Sequence, residues 1–180
     1  FMLGITGYAT GGNDTVSVTV NISESIPQVC NFTLRQGWNL VSFHCLFQGI
    51  DLEEGLNSIG GRYSAVFTYR STLGDDKWKS YNPNLPNWTV QDLDNLSRLQ
   101  GYWIYMDSSA HYSFSGFETF SDYIPIHQGW NLVGYPSSNS REAGSAFSSL
   151  NGSYDQAAMY DEDGSRYLYY YFGSNDSSFN

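Results

Sequence analysis

The chain has 180 residues, with 18 Asp or Glu against 8 Lys or Arg, and a formal net charge of -10. Charged residues make up only 14% and aromatics 17%, a composition poor in charge and rich in rings. That balance leaves no basic footprint for nucleic acid or anionic lipid, and an apolar content of 41% excludes a disordered tail.

At this length one or two small domains are expected, each able to bury a core. The start, Phe1-Met2-Leu3-Gly4-Ile5, is apolar but short. It reads as the trace of a removed secretory segment, or as a mature end just after one. Residues 15–22 alternate strictly, with Val16, Val18, Val20 and Ile22 on one face. This is a strand that needs a partner sheet, and it is a candidate assembly strand for insertion at another subunit's open edge. Residues 1–27 form an N-terminal extension around it.

Residues 30–34 and 40–46 predict a hairpin about Gln36-Gly37-Trp38-Asn39. With a two-residue turn at Gly37-Trp38, facing residues have numbers that sum to 75, as Cys30 and Cys45 do. Facing positions in an antiparallel pair are close enough for a disulfide, so Cys30–Cys45 is expected. Closing that loop is worth about 3 kcal/mol. No C-x-x-C or Cys/His metal spacing occurs.

Further along, a short helix is predicted over 52–59, then a hairpin of 65–70 with 77–81 through Gly74-Asp75-Asp76. A second helix is predicted over 90–99, with Thr89 and Asp92 resembling a capping box. A third hairpin, 102–106 with 111–114, turns at Asp107-Ser108-Ser109. A helix over 141–150 and a hairpin of 157–160 with 166–172 follow.

The strongest signal is an internal repeat. Gly37-Trp38-Asn39-Leu40-Val41 recurs as Gly129-Trp130-Asn131-Leu132-Val133, at an offset of 92. Leu56…Ile59…Gly61…Tyr63 matches Phe147…Leu150…Gly152…Tyr154 at an offset of 91, and Tyr69 matches Tyr160. The region Trp78…Tyr81 then matches the tyrosine-rich run from Tyr167 to Phe172. The reading is a duplicated unit of about 90 residues: a first repeat over 28–121 and a second, partial one over 122–180 without a counterpart of Gly101-Tyr102-Trp103. The expected fold is all-β with a few short helices, as two tandem sandwich-like repeats. The second is incomplete, being either a fragment or a unit that borrows its last strands.

The order Gly37-Trp38-Asn39-Leu40-Val41, short helix, Tyr63…Tyr69, Trp78…Tyr81 and Gly101-Tyr102-Trp103-Ile104 resembles a roughly 90-residue repeat common in secreted archaeal and bacterial cell-surface proteins. The head, Gly4 to Gly12, is similar to the region after the signal in secreted archaeal proteins. The resemblance implies an extracellular location and a modular β architecture, and it supplies no active site.

Seven Asn-X-Ser/Thr sequons, at Asn13, Asn21, Asn31, Asn87, Asn95, Asn151 and Asn175, fit that compartment as N-glycosylation acceptors. Chance placement would give roughly three. No transmembrane helix is expected, because no apolar run approaches the length needed.

An enzyme would need a nucleophile, base or metal set. His44, His111 and His127 sit in no H-E-x-x-H motif, and no G-x-S-x-G or P-loop occurs. Asp161-Glu162-Asp163-Gly164 resembles the start of a calcium loop, one acid short and without the closing Glu. No catalytic, cofactor or metal site is therefore assigned. Trp78, Trp88, Tyr167, Tyr169 and Tyr171 are candidates for contact with a glycan or another subunit, the three tyrosines sharing one strand face. The expected function is a structural glycoprotein of a cell surface or filament that associates with itself. The alternative is a carbohydrate-binding module.

Overall fold

The computed structural model describes residues 26–72, 74–86, 88–118, 122–150, 152–161 and 166–173. The fold is all-β with two short helices. Over 26–118, the first unit of the sequence pattern, the elements are β1 (Ile26–Leu34), β2 (Gly37–Val41), β3 (Ile50–Asp51), α1 (Leu52–Gly55), β4 (Tyr63–Tyr69), β5 (Trp78–Tyr81), β6 (Asn95–Leu96), β7 (Tyr102–Met106) and β8 (Ala110–Glu118). Beyond it, over the second unit of that pattern, are α2 (Ala143–Ala146), β9 (Gln156–Asp161) and β10 (Arg166–Tyr171). Each helix runs into a 3-10 turn, over Asn57–Ile59 and Ser148–Leu150.

A four-stranded antiparallel sheet has the order β2-β7-β4-β5. β7 alternates: Tyr102, Ile104 and Met106 point into the core, and Trp103 and Tyr105 point out. A bulge between Tyr63 and Ala65 resets β4 so that both Tyr63 and Val66 face inward. Across the core lies a two-stranded ribbon, β1 with β8, giving a sandwich-like arrangement. Tyr112 of β8 reaches across it to stack near Phe43 and Phe32, with centroids 4.7 and 5.1 Å away. Its hydroxyl donates to Gly55 O at 2.9 Å, so the buried polar tip is satisfied. α1 closes one end of the core with Leu52, Leu56 and Ile59. Its N-cap is Asp51, whose carboxylate accepts from Glu54 N at 3.1 Å.

Two expected hairpins are replaced by other pairings. β1 pairs with β8 along its whole length, Cys30 facing Phe114, while β2 pairs with β7. The chain between β1 and β2 is fixed by Asn39, which is fully buried. Its Oδ1 accepts from Arg35 N at 2.9 Å, and its Nδ2 donates to Arg35 O and Gly37 O at 2.8 and 2.9 Å. The side chain closes a tight loop over residues 35–39 in place of the two-residue turn. Gly37 turns the chain at φ +97°, a region open to glycine, and β2 enters the other sheet. The Cys30–Cys45 disulfide nevertheless forms, with Cα atoms 5.7 Å apart. It joins β1 to the turn after β2 instead of crossing a ladder.

β7 likewise does not pair with β8, because both its edges are taken by β2 and β4. Asp107-Ser108-Ser109 carries the chain from sheet to ribbon, held by Asp107 N to Arg62 O at 2.8 Å and Gln36 N to Ser109 Oγ at 3.0 Å. The helix expected over 90–99 is a loop with β6 inside it. Asp92 caps no helix; its Oδ1 accepts from Ser80 N at 2.7 Å. The apolar spacing of Leu93 and Leu96 arises because the loop crosses the core, where both are fully buried. The hairpins β4–β5 and β9–β10 and the helices near 52–59 and 141–150 are as expected.

Local geometry recurs in the second unit. Asn131 Oδ1 accepts from His127 N at 3.0 Å, and Nδ2 donates to His127 O and Gly129 O at 2.7 and 2.9 Å. Gly129 has φ +91°. The rungs Tyr69↔Trp78 and Val66↔Tyr81 of β4–β5 match Tyr160↔Tyr167 and Ala157↔Tyr170 of β9–β10.

Loss of the buried clip in Asn39→Ala is expected to lower the unfolding free energy by about 2–3 kcal/mol. The same change at the more exposed Asn131 is expected to cost under about 1 kcal/mol. Urea unfolding of the two variants measures the difference. A second expectation concerns alkaline pH. Burial pushes the Tyr102 hydroxyl up to about 12, and burial with the Glu53 and Asp51 carboxylates does the same for Tyr63. Burial also raises Tyr112. A raised folded-state value means that the neutral form is favoured by folding. That stability is fully present below pH 10 and is lost as pH rises from 10 through about 12. Ultraviolet titration should show a normal phase of exposed tyrosines, followed by a steep phase that coincides with loss of near-ultraviolet circular dichroism. A single normal phase would contradict the buried tyrosines.

Candidate functional site

The outer face of the four-stranded sheet is aromatic. Because side chains alternate, burial of Asn39, Tyr102, Ile104, Val66 and Thr68 on the inner face places Trp38, Trp103, Tyr105, Phe67 and Tyr69 on the outer one. Trp38 is central: its ring lies 5.1 Å from Tyr105, 5.9 Å from Phe67 and 6.3 Å from Trp103. Trp78 meets Tyr69 across the β4–β5 rung at 5.2 Å, and Lys77 Nζ sits 5.9 Å from the Tyr69 ring. Trp38 and Trp78 remain 46% and 52% exposed, so this face is a surface and not a second core.

The β9–β10 hairpin extends the row. Tyr160 and Tyr167 face each other across it, and both meet the edge of Trp103, at 5.0 and 6.3 Å. Tyr169 and Tyr171 continue along the same strand face, with successive centroids 6.2 and 6.4 Å apart. The rings from Trp38 through Trp103 to Tyr171 therefore form an unbroken chain of contacts, and Tyr167, Tyr169 and Tyr171 are all exposed. The opposite face of β10 carries Tyr170, which is buried near Phe147 and against Gly144.

A polar junction fixes this row in place. Gly134 N donates to Leu99 O at 3.0 Å, and Gln100 bridges to Val133 in antiparallel fashion. Gln100 Nε2 donates to Tyr69 O at 2.9 Å and also to Leu132 O. Arg98 holds Asp122 with Nε at 3.1 and 3.0 Å from its two oxygens and Nη2 at 2.7 Å from Oδ1. Both side chains are almost wholly buried, so this charge-assisted pair is a fixed part of the joint. A Cβ at Gly134 would lie 2.2 Å from Arg98 O, closer than any side chain tolerates.

Of the candidates read from sequence, Tyr167, Tyr169 and Tyr171 share a face as expected, and Trp78 lies on the outer sheet face with Trp38 and Trp103. Trp88 stands apart in the loop after β5, 83% exposed. Trp103, which its apolar strand suggests is core, is on the outer face. Trp38, which its recurrence as Trp130 marks as a structural residue of the turn, and Tyr105 are not among the contact candidates read from sequence. The available signal was the Gly-Trp-Asn order, since an inward Asn39 requires an outward Trp38. The sequons at Asn31 and Asn95 are on exposed strand positions. Those at Asn13, Asn21, Asn87, Asn151 and Asn175 lie outside the described residues, as do Val16, Val18, Val20 and Ile22 and the acidic turn at 162–165.

The histidines have separate neighbours. His44 Nδ1 lies 3.8 Å from Cys30 Sγ, His111 Nδ1 lies 3.4 Å from Thr33 Oγ1, and His127 lends its main chain to the Asn131 clip. Among the described residues, no three or more of His, Cys, Asp and Glu are grouped to hold a metal ion, and no helix is long and apolar enough to cross a membrane. Comparison with known proteins finds no matching family model, curated protein or solved structure.

Gly134→Ala is expected to separate the hairpin from the sheet at a cost of about 1–3 kcal/mol. Trp103 would lose its Tyr160 and Tyr167 neighbours, so acrylamide should quench tryptophan fluorescence more strongly. The first unit, with its disulfide, should keep its amide protection. Unchanged quenching would mean that this joint does not hold the aromatic row.

Proposed function

We propose that the chain is an extracellular structural subunit, of a cell surface or filament, that acts by associating with copies of itself. The observation that carries this reading is the exposed aromatic row from Trp38 to Tyr171. Tyrosine and tryptophan rings present large rigid contact areas with a polar tip, the composition that interface cores favour. An apolar strip of this kind is unusual on a monomer that has no partner. The disulfide agrees with an oxidising compartment, and the seven sequons and the likeness to secreted surface repeats point the same way. A row that is repeated in part along one chain suits head-to-tail contacts and open polymers.

The tilted and stacked series Tyr167, Tyr169 and Tyr171 also favours a second reading, a carbohydrate-binding surface on which sugar rings stack. The two are separated by measurement. Sedimentation velocity and electron microscopy of the full chain are expected to reveal oligomers that grow with concentration. The double variant Trp38→Ser/Tyr169→Ser should weaken that association at least about tenfold without loss of secondary structure, since rings buried at an interface each contribute more than about 1 kcal/mol. A chain that stays monomeric at every concentration, yet binds glycans on an array and loses them with Tyr169→Ala, would replace the structural reading by the binding one.

A further inference from the structure

The two units differ in what covers their inner faces. Phe43 is fully buried, and the rings beside it are Tyr102 of β7 at 5.9 Å, Tyr112 of β8 at 4.7 Å and Phe32 of β1 at 6.1 Å. Its counterpart Tyr135 is 39% exposed. Leu34 is 1% exposed and its counterpart Ile126 is 39% exposed; Thr68 is 0% exposed and its counterpart Met159 is 39% exposed. The described residues of the second unit contain no strand in the place of β7 or β8.

Among the described residues, β9 also has one strand edge without a paired neighbour. Phe172 N donates to Asp155 O at 3.0 Å, which makes 155 and 172 a hydrogen-bonded rung. Rungs of that kind alternate along an antiparallel pair, so 157↔170 and 159↔168 are bonded to β10 in turn. The main-chain groups of Gln156, Ala158 and Tyr160 therefore point to the other side. In β4 the matching residues Ala65 and Phe67 lie opposite Tyr105 and Trp103 of β7. Beside β9 no strand is paired among the described residues.

We propose that this edge accepts residues 15–22 of a second copy of the chain, which take the position that β7 holds in the first unit. The inference rests on the self-association reading and names its contact. The segment has the chemistry that the site requires. Val16, Val18, Val20 and Ile22 alternate with Thr15, Ser17, Thr19 and Asn21, as inward Tyr102, Ile104 and Met106 alternate with outward Trp103 and Tyr105 in β7. Its eight residues span the six of β9, and none is charged. The valines would cover Met159, Leu168 and the neighbourhood of Phe147, and the polar positions would join the tyrosine face. Main-chain hydrogen bonds at Gln156, Ala158 and Tyr160 provide affinity, and the alternation fixes register. Donor and acceptor lie on different parts of one chain, so each copy can receive from one neighbour and give to another.

The test uses three full-length chains: wild type, the donor variant Val18→Asp/Val20→Asp, and the acceptor variant Ala158→Pro. Proline is tolerated at an edge position whose N–H faces away from its own hairpin, and it blocks addition of a strand there. In sedimentation velocity the wild type is expected to form a concentration-dependent series, and each variant alone to be monomeric. An equimolar mixture of the two should give a discrete dimer, because one intact edge and one intact strand remain. A peptide of residues 15–22 added to the donor variant should slow amide exchange at Gln156, Ala158 and Tyr160 at least tenfold. If both variants assemble like the wild type and the peptide leaves exchange unchanged, the strand inference is overturned while self-association stands. If the wild type is monomeric with a β9 edge that Val18→Asp/Val20→Asp deprotects, the strand is held within its own chain, and trans donation is overturned. A wild type that is monomeric with an unprotected edge overturns the self-association reading itself.

Discussion

Both edges of β7 are hydrogen-bonded, to β2 on one side and β4 on the other, and rings pack on both of its faces. Inward, Tyr102, Ile104 and Met106 join a core in which most side chains are fully sealed. Outward, Trp103 and Tyr105 carry the aromatic row, and Trp103 is the ring on which the second unit's tyrosines rest. Immediately before the strand, Arg98 and Gln100 hold the second unit by an ion pair and a bridge. Core, surface row and joint are thus set by one stretch of chain. A strand with two bonded edges cannot slip by one residue without turning every side chain to the wrong face. The orientation of the exposed rings is therefore inherited from the buried ones.

The alternation of polar and apolar residues made most strands legible, and local chemistry made the β4–β5 and β9–β10 hairpins legible as well. What it could not reveal was partner choice. Residues 30–46 have the pattern of a hairpin, but β1 pairs with β8 and β2 with β7, both distant in sequence, and Asn39 closes the loop between them on Arg35. The disulfide was legible because it depends only on the proximity of Cys30 and Cys45, which either pairing allows. The apolar spacing of Leu93 and Leu96 imitates a helix because a loop crossing a core also buries residues three apart. In β7 both faces are apolar, so the pattern alone cannot say which of them is outside. For the candidate surface, period two placed Tyr167, Tyr169 and Tyr171 together. The contact of two of their hairpin's rings with Trp103 is a long-range fact that no local pattern contains.

The repeated Gly-Trp-Asn clip shows what a local motif does and does not determine. At 37–39 and 129–131 the same three hydrogen bonds and the same positive φ at glycine recur, so the clip folds in the same way in both surroundings. The burial around it does not recur, because burial comes from β7 and β8 and not from the clip. Beyond 37–39 the chain runs on as β2, whereas beyond 129–131 it makes only an isolated bridge at Val133, so the clip by itself does not build a strand.

A surface with an open strand edge and a row of exposed rings is a hazard for a protein at high concentration, since both promote unspecific association. Net charge opposes it. At -10 the copies repel one another through regions that carry acids, such as 51–54, 75–76 and 92–94. The row itself and the β9 edge carry almost none: between Gln156 and Tyr160 there is no charged residue, and the rings from Trp38 to Tyr105 bear none. Screened repulsion reaches only about a Debye length, roughly 8 Å, so it opposes contacts that bring acidic regions together and not those made by the rings and the edge. For the self-association proposed above, acidic patches would disfavour orientations that bring them together and leave the uncharged strip as the favoured face. In the proposed assembly, the low charge content and the acidic imbalance would thus act together to favour contact on the uncharged face.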